Sequence, residues 1–173
     1  MKKILVISDT HGNRELLEMI LDKNQAAHSD VIIHLGDNYE DIYKAKNLPK
    51  QSKIYRVPGL FHPGYVSGSL NIVEKMDIEG FGFLFAHRLE DLLKYGSYEK
   101  INLFGHSHRP EIFARDDKIF LNPGHLKRIK DRGHPASFAV ITIDENRIDI
   151  KIIDWKDNII KEYTEETNVD RRN

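Results

Sequence analysis

The sequence of 173 residues contains no cysteine. This absence excludes disulfide bonds, thiolate metal sites and cysteine nucleophiles, and it is typical of proteins that fold in a reducing cytosol. Long hydrophobic runs are also missing, because no apolar stretch approaches the ~20 residues that cross a bilayer. The first apolar run begins directly after Lys3, whereas a signal peptide would need a longer apolar region. We therefore expect a cytoplasmic protein without membrane contact.

An excess of either charge is absent as well. Lys and Arg number 26 against 27 Asp and Glu, which gives a net charge of −1. No general field therefore attracts nucleic acid or a membrane surface. Because internal repeats and dividing linkers are also absent, we expect a single domain over residues 1–173, which buries roughly 70% of the unfolded surface. The polar tail from residue 162 onward is expected to fray.

What the sequence does contain is a repeated pattern of short apolar runs with polar ends. The runs cover residues 4–7, 31–35, 54–57, 83–86 and 101–104. Continuous apolar runs of this length are typical of buried strands in a mostly parallel sheet. Aspartate or histidine follows soon after each run, at the edge where α/β sheets bind ligands. This repetition predicts a metal site.

The rest of the pattern predicts three helices and three hairpins. The helices run from Asn13, as the cap, to about residues 27–28, from 39 to 48, and from 89 to 95 with Gly96 as the stop. The hairpins pair 71–78 with 81–86, 112–115 with 118–121, and 137–143 with 147–154 across 145–146. Residues 58–69 are predicted to form a loop. Parallel units followed by hairpins predict a mixed sheet or two packed sheets.

Six side chains at the strand ends are candidate metal ligands. They are Asp9, His11, Asp37, His87, His106 and His108. Carboxylate oxygens together with neutral imidazole nitrogens suit borderline divalent ions such as Mn, Fe, Co, Ni or Zn. Two such ions held ~3.5–4 Å apart would share a hydroxide and clamp a phosphoryl group during in-line displacement.

Several of these residues also have a purely structural interpretation. Asp9 is placed to cap a helix, and His87 is compatible with a core histidine. His62 is as compatible with an exposed loop position as with a functional one. Arg88 and Arg109 adjoin predicted ligands and are suited to contact phosphate, but solvated surface charge is the alternative.

The remaining histidines and one charged stretch are assigned mostly structural roles. His34 lies inside a predicted strand and is expected to be structural, and His28 and His134 are expected at the surface. His125 follows Asn-Pro-Gly and is expected to approach the site. The charged residues 127–132 are predicted to form a solvated loop.

Four motifs follow one another in a characteristic order. They are Asp9-Thr10-His11-Gly12, Gly36-Asp37, His87 and Gly105-His106-Ser107-His108. In this order they resemble the calcineurin-like metallophosphoesterases. Asn122-Pro123-Gly124 followed by Ser137-Phe138-Ala139-Val140 is similar to the small bacterial and archaeal branch of that family. The resemblance covers most of the chain and implies an α/β fold, a four-layer sandwich of two mixed β-sheets flanked by helices.

The resemblance also implies two divalent metal ions with separate ligand sets. One ion takes Asp9, His11, Asp37 and His108, and the other takes Asp37, His87, His106 and an asparagine from a third motif. Mn²⁺ is the expected metal, with Ni, Fe, Co and Zn as alternatives. In the implied mechanism Asp37 bridges the ions and a metal-bound hydroxide attacks phosphorus. His62 or Arg109 then helps to stabilise the leaving oxygen and the equatorial charge.

The third motif is where this sequence departs from the family pattern. The family has Gly-Asn followed by His-Asp or Cys-Asp, whereas this chain has Gly59-Leu60-Phe61-His62. An isobutyl group cannot coordinate a metal, so we expect the second metal site to be weakened. His62 is placed either to supply the missing ligand or to protonate a leaving group.

Three functions are compatible with these observations. The leading hypothesis is a metal-dependent hydrolase that cleaves phosphodiester bonds in a small phosphodiester or nucleotide-like substrate. The alternative is a catalytically impaired binding or scaffold protein of the same fold, because Leu60 replaces the asparagine ligand. A third interpretation is a one-metal phosphate sensor. A homo-oligomer is compatible with each of them.

Overall fold

The computed structural model describes residues 1–23, 26–95, 97–145 and 147–166. The strands are β1 (Lys2–Ile7), β2 (Val31–His34), β3 (Lys53–Arg56), β4 (Val73–Ile78), β5 (Phe81–Ala86), β6 (Ile101–Leu103), β7 (Glu111–Arg115), β8 (Lys118–Asn122), β9 (Lys130–Asp131), β10 (His134–Pro135), β11 (Ser137–Asp144), β12 (Arg147–Asp154) and β13 (Ile159–Glu166). The helices are α1 (Arg14–Leu21), α2 (Pro63–Val66) and α3 (Leu89–Tyr95), and a 3-10 helix covers Asp41–Lys44.

The first sheet contains six of the described strands, in the order β13-β12-β11-β1-β2-β3. β1, β2 and β3 run parallel, while β11, β12 and β13 add to the other side of β1 in antiparallel pairs. Along β1 the side chains of Ile4 and Val6 face one apolar cluster and those of Leu5 and Ile7 face another. The strand is therefore buried on both faces, which explains its unbroken apolar run.

The second sheet contains five of the described strands, in the order β4-β5-β6-β8-β7. Its three central strands are parallel, and β4 and β7 pair with them as antiparallel edges. Phe83 and Phe85 of β5 point toward the first sheet and form the central core with Val6 and Ile33. Leu84 and Ala86 point the other way, toward Leu92 on α3.

These contacts produce a sandwich of two mixed sheets between helical layers. α1 covers the outer face of the first sheet through a stripe of buried side chains, Leu16, Leu17, Ile20 and Leu21. α3 covers the outer face of the second sheet. The predicted four-layer α/β fold and the three predicted hairpins are thus confirmed. In the part of the chain that the structure describes, no helix has the length and apolar character needed to cross a membrane.

Four of the predicted boundaries were wrong. α1 begins after Asn13, whose side chain accepts the Leu16 N–H, but it ends at Leu21, well before residues 27–28. Residues 39–48 contain only the short 3-10 helix, because Tyr39 and Tyr43 turn to stack on the Arg56 guanidinium, 4.4 and 4.6 Å from their ring centres.

The other two errors concern segments predicted to lack regular structure. Residues 58–69 include the single turn α2, which Pro63 starts and His62 caps. Residues 162–166 belong to β13, because it pairs with β12 rather than fraying. Gly96, Asn146 and residues 167–173 lie outside the described part of the chain.

A buried ion pair ties α2 to α3 beside the second sheet. The Asp91 carboxylate is 2% exposed and accepts hydrogen bonds from Arg88 Nη2 at 2.8 Å and from the Tyr65 hydroxyl at 2.9 Å. Burial by itself would raise the pKa of Asp91, but the hydrogen bonds from Arg88 and Tyr65 outweigh it and lower the pKa.

We expect Asp91→Asn to lower the free energy of unfolding at pH 7 by about 2 kcal/mol, because it leaves the Arg88 charge uncompensated. Since the pKa of Asp91 is lower in the folded than in the unfolded protein, its contribution is present above about pH 4 and is lost as the pH falls through the folded value. Urea denaturation at pH 7 and at pH 3 should show the difference from the parent shrinking in acid. The exposed Asp117→Asn is the control, and an equal difference at both pH values would contradict this assignment.

Candidate metal centre

The six predicted ligands lie together where strands of both sheets end. Asp9 and Asp37 follow the neighbouring strands β1 and β2, and the Asp9 amide donates to the Gly36 carbonyl at 3.0 Å. His87 follows β5, and the His106 turn follows β6, with the Gly105 amide donating to the His87 carbonyl at 2.9 Å. Parallel neighbours in each sheet thus deliver their ends to one edge.

Five of the six predicted ligands have a left-handed backbone. Their φ angles are 52° at Asp9, 48° at His11, 54° at Asp37, 67° at His106 and 62° at His108. Non-glycine residues adopt this conformation rarely, at a cost of about 1–3 kcal/mol each, and such strain clusters at functional sites. At each of these five residues the chain reverses direction, so that the side chain points toward the residues that follow the neighbouring strands.

Two glycines allow the loops to close around the carboxylates. A Cβ at Gly59 would lie 1.9 Å from Asp37 Oδ1 and 2.7 Å from the Asp37 nitrogen. A Cβ at Gly105 would lie 2.0 Å from Ser8 Oγ and 2.8 Å from Asp9 Oδ2. The third motif therefore keeps its glycine for a steric reason, although its asparagine is replaced.

Two groups of ligand atoms converge at this edge, each within 4.8 Å. They are Asp9 with His11 and His108, and Asp9 with Asp37 and His87. In the first group His108 Nε2 lies 3.2 Å from Asp9 Oδ1 and 3.2 Å from His11 Nε2. Asp9 thus belongs to both groups, whereas the sequence pattern placed it in one.

Asp37 belongs to the second group of ligand atoms and also lies close to His11 of the first. Its Oδ2 is 3.4 Å from His11 Nε2, and its Oδ1 is 3.6 Å from His87 Nε2. Each oxygen faces a different imidazole, which is the geometry that a bridging carboxylate needs.

The hydrogen bonds of the buried His87 and Asp9 side chains leave lone pairs that could coordinate a cation. His87 Nδ1 donates to the Leu35 carbonyl at 2.7 Å, which leaves a lone pair on Nε2. Within the described residues, neither His87 Nε2 nor Asp9 Oδ1 has a hydrogen-bond partner, although both atoms are buried. Buried polar atoms are normally paired, so lone pairs that converge without protons indicate a site for positive charge.

The electrostatics of the site keep Asp9 ionised and two of the histidines neutral. Burial would raise the pKa of Asp9, but the nearby imidazoles of His108 and His87 and the hydrogen bond from Ser8 outweigh it and lower the pKa. Burial lowers the pKa values of His11 and His106. Burial would also lower the pKa of His108, but the Asp9 and Asp131 carboxylates outweigh it and raise the pKa. Ionised carboxylates therefore coexist with neutral imidazoles at His11 and His106 near neutral pH, whereas a protonated His108 must release a proton to bind metal.

The other predicted site residues lie at different distances from this centre. The His106 ring contacts the His87 ring, with centroids 5.1 Å apart, but His106 belongs to neither converging group. His62 lies beside the centre and pairs with Glu40 through Nε2 at 2.8 Å. Arg109 is 63% exposed and lies 3.8 Å from Glu111, so the structure places its guanidinium at the surface.

Two further histidines, His34 and His125, are buried near the predicted ligands. His34 is buried and accepts the Gly36 amide through Nδ1, as its structural assignment predicted. His125 is buried against His108, with ring centroids 5.2 Å apart.

Sequence reasoning missed several residues that hold the ligands. Asp131 was assigned to a solvated loop, but it is buried and accepts from His108 Nδ1 at 2.6 Å. Arg132 Nη1 donates to the His106 and Ser107 carbonyls at 3.2 and 3.3 Å. A run of mixed charges carries no signal that one of its carboxylates is buried.

The first motif also has a buried support that the sequence did not indicate, since the Asp41 carboxylate accepts a hydrogen bond from the Thr10 hydroxyl at 2.5 Å.

A small cavity opens beside the two groups of ligand atoms. Its volume is about 260 Å³. The residues that line it are His11, Asp37, Asn38, Glu40, Gly59, Phe61, His62 and Pro63. It therefore joins predicted ligands from the first two motifs to the altered third motif.

The sequence as a whole has recognisable relatives. Residues 1–146 match the family model of the calcineurin-like phosphoesterase superfamily domain. Over 177 aligned residues the chain is 24% identical to the probable metallophosphoesterase YsnB of Bacillus subtilis, covering 92% of this chain and 95% of that protein.

Solved structures with the same fold include proteins of two kinds. One is the phosphoesterase YfcE of E. coli, with a TM-score of 0.69 and 18% identity over 93% of this chain and 98% of that one. Another is Vps29 of Entamoeba histolytica in complex with Zn²⁺, with a TM-score of 0.65 and 21% identity over 96% and 99% of the two chains. At these identities the likeness shows the fold.

We expect Gly59→Ala to weaken Mn²⁺ binding by about tenfold or more, because the new methyl group displaces the Asp37 carboxylate. Titration calorimetry measures this loss. Gly82→Ala is the matched control, since its Cβ would meet the carboxylate end of the Glu99 side chain, at 2.1 Å, rather than a predicted ligand. Equal Mn²⁺ affinity in the two variants would show that the close approach at Gly59 does not position Asp37.

Proposed function

Because the chain belongs to the calcineurin-like phosphoesterase superfamily, we propose that it is a phosphodiesterase that works with two divalent metal ions. The observation that carries this proposal is the two buried atoms Asp9 Oδ1 and His87 Nε2, which lack hydrogen-bond partners among the described residues and belong to residues that converge with Asp37 in one group. Such atoms are costly to bury without a cation.

The residues are assigned to the two ions as the family resemblance implies. Asp9, His11 and His108 would hold one ion, His87 and His106 would hold the other, and Asp37 would bridge them. Mn²⁺ is the proposed metal, since this donor set suits borderline divalent ions. The ions, when bound, would activate water and neutralise charge on the phosphoryl group.

His62 is proposed to hold a proton at the edge of the cavity. Its Nδ1 accepts the Gly64 amide at 3.0 Å, so the ring proton lies on Nε2, where it faces Glu40 Oε1 at 2.8 Å. Glu40 thus orients the ring at the edge of the cavity. Proton donation to a leaving oxygen would require the doubly protonated ring, in which Nδ1 also carries a proton and no longer accepts the Gly64 amide.

The cavity lining supports a phosphodiester rather than a phosphomonoester. Among the described residues that line the cavity there is no lysine or arginine, and Glu40 adds negative charge. The bound ions would attract both kinds of ester, but the Glu40 carboxylate would repel a dianionic phosphomonoester more strongly than a singly charged diester. A small phosphodiester or nucleotide-like molecule is the substrate class that we propose.

A scaffold function is the second candidate, and the third motif favours it. Leu60 replaces the usual asparagine ligand, and Phe61 beside it is 89% exposed. A large exposed aromatic ring suits a contact with another protein. The scaffold function requires no turnover, so an activity measurement separates the two.

We expect Mn²⁺-dependent hydrolysis of bis(p-nitrophenyl) phosphate, and we expect Asp37→Ala to abolish it, because both ions lose a shared ligand. The release of nitrophenolate across added Mn²⁺ measures this. His28→Ala, at an exposed position outside the site, should retain full activity. A folded parent protein that binds at most one ion and turns over no diester would favour the scaffold function.

We expect His62→Asn to lower kcat about 100-fold for an alkyl phosphodiester, whose leaving oxygen needs a proton. The same change should barely affect a nitrophenyl ester, because nitrophenolate leaves without protonation. Asparagine retains the side-chain cap of α2, so the fold is preserved. Steady-state rates on the two substrates test this, and equal losses on both would remove His62 from the protonation step.

A further inference from the structure

We infer that Asp131 is a positioning residue, which fixes the ring of His108 so that its Nε2 lone pair faces the metal centre. This inference rests on the proposed function, since it assumes that His108 binds metal. Asp131 follows no apolar run and belongs to none of the four motifs.

The first observation is the hydrogen bond between the two side chains. His108 Nδ1 lies 2.6 Å from Asp131 Oδ2, and the two side chains are 2% and 4% exposed. An ionised carboxylate only accepts, so Nδ1 donates and carries the ring proton. In the neutral ring the lone pair is then on Nε2.

The second observation is the direction in which this lone pair points. His108 Nε2 lies 3.2 Å from Asp9 Oδ1 and 3.2 Å from His11 Nε2, within the first group of ligand atoms. The imidazole thus connects a buried carboxylate on one side to the proposed metal position on the other. Metal-binding histidines are commonly oriented by such a carboxylate, which also makes them stronger ligands.

The third observation is how the short hairpin of β9 and β10 is held against the His106 turn. Arg128 donates to Asp131 Oδ1, which leaves Oδ2 for His108. Arg132 donates to the carbonyls of the turn, and His125 Nε2 donates to the His134 carbonyl at 3.2 Å. The hairpin is therefore tied to the turn on one side and to the core on the other.

A purely structural role makes a different prediction. If Asp131 served only to hold the hairpin, its loss would lower stability without changing metal binding in the folded protein. The Arg128→Gln variant provides this comparison, because it weakens the hold on the hairpin and leaves the bond between Asp131 and His108 in place.

The test measures Mn²⁺ binding by calorimetry and Co²⁺ binding by visible absorption in the parent, Asp131→Asn, Asp131→Leu and Arg128→Gln. We expect the affinity of one site to fall about 10-fold in Asp131→Asn, which still accepts the Nδ1 proton, and about 100-fold in Asp131→Leu. Arg128→Gln should retain the affinity of the parent. A changed Co²⁺ spectrum in the aspartate variants would report the altered ligand.

A measurement on the unchanged chain covers the case in which the variants do not fold. In the metal-free parent protein, nitrogen NMR should locate the proton of the neutral His108 ring on Nδ1, where Asp131 accepts it. A proton on Nε2, or equal metal affinity in the parent and both aspartate variants, would overturn the inference. If the parent binds no metal, the proposed function itself fails, which is a distinct result.

Discussion

The structure depends on burying the ionised carboxylate of Asp9, which is fully shielded from solvent. A buried charge is tolerated only when it is paired. One oxygen accepts from the Ser8 hydroxyl and the His106 amide at 2.5 and 2.9 Å, and the other faces His108 and the proposed cation. Because Ser8 and Asp9 end the first sheet and the histidines follow the second, this one carboxylate joins the two sheets at their functional edge.

The strain around that carboxylate is local, and the rest of the fold is regular. The left-handed residues of the site lie in the turns that follow apolar strands with well-paired backbones. A rigid pair of sheets can hold strained turns at its edge, because the packing free energy of the core offsets the conformational strain of the turns. This division explains why the fold supports a precise ligand geometry on chain segments that would not adopt it alone.

The fold by itself does not decide between catalysis and binding, because one fold can carry unrelated functions. The site residues carry that argument. The third motif has Leu60 where the family pattern has asparagine, yet the same loop approaches Asp37 closely at Gly59 and places His62 against Glu40. The altered loop therefore still contacts a candidate ligand.

The sequence alone determined the α/β class, the hairpins and the positions of six candidate ligands, because apolar runs and their polar ends reflect local rules of strand burial. The single turn α2 has local signals in Pro63 and His62, but the pairing of β13 with β12 depends on contacts that no local pattern records. The same holds for the support of the site. Asp131 is separated from His108 by 23 positions, and it is buried only because the β9–β10 hairpin folds back onto the histidine turn. The candidate ligands could therefore be identified from the sequence, whereas their orientation was decided by the tertiary structure.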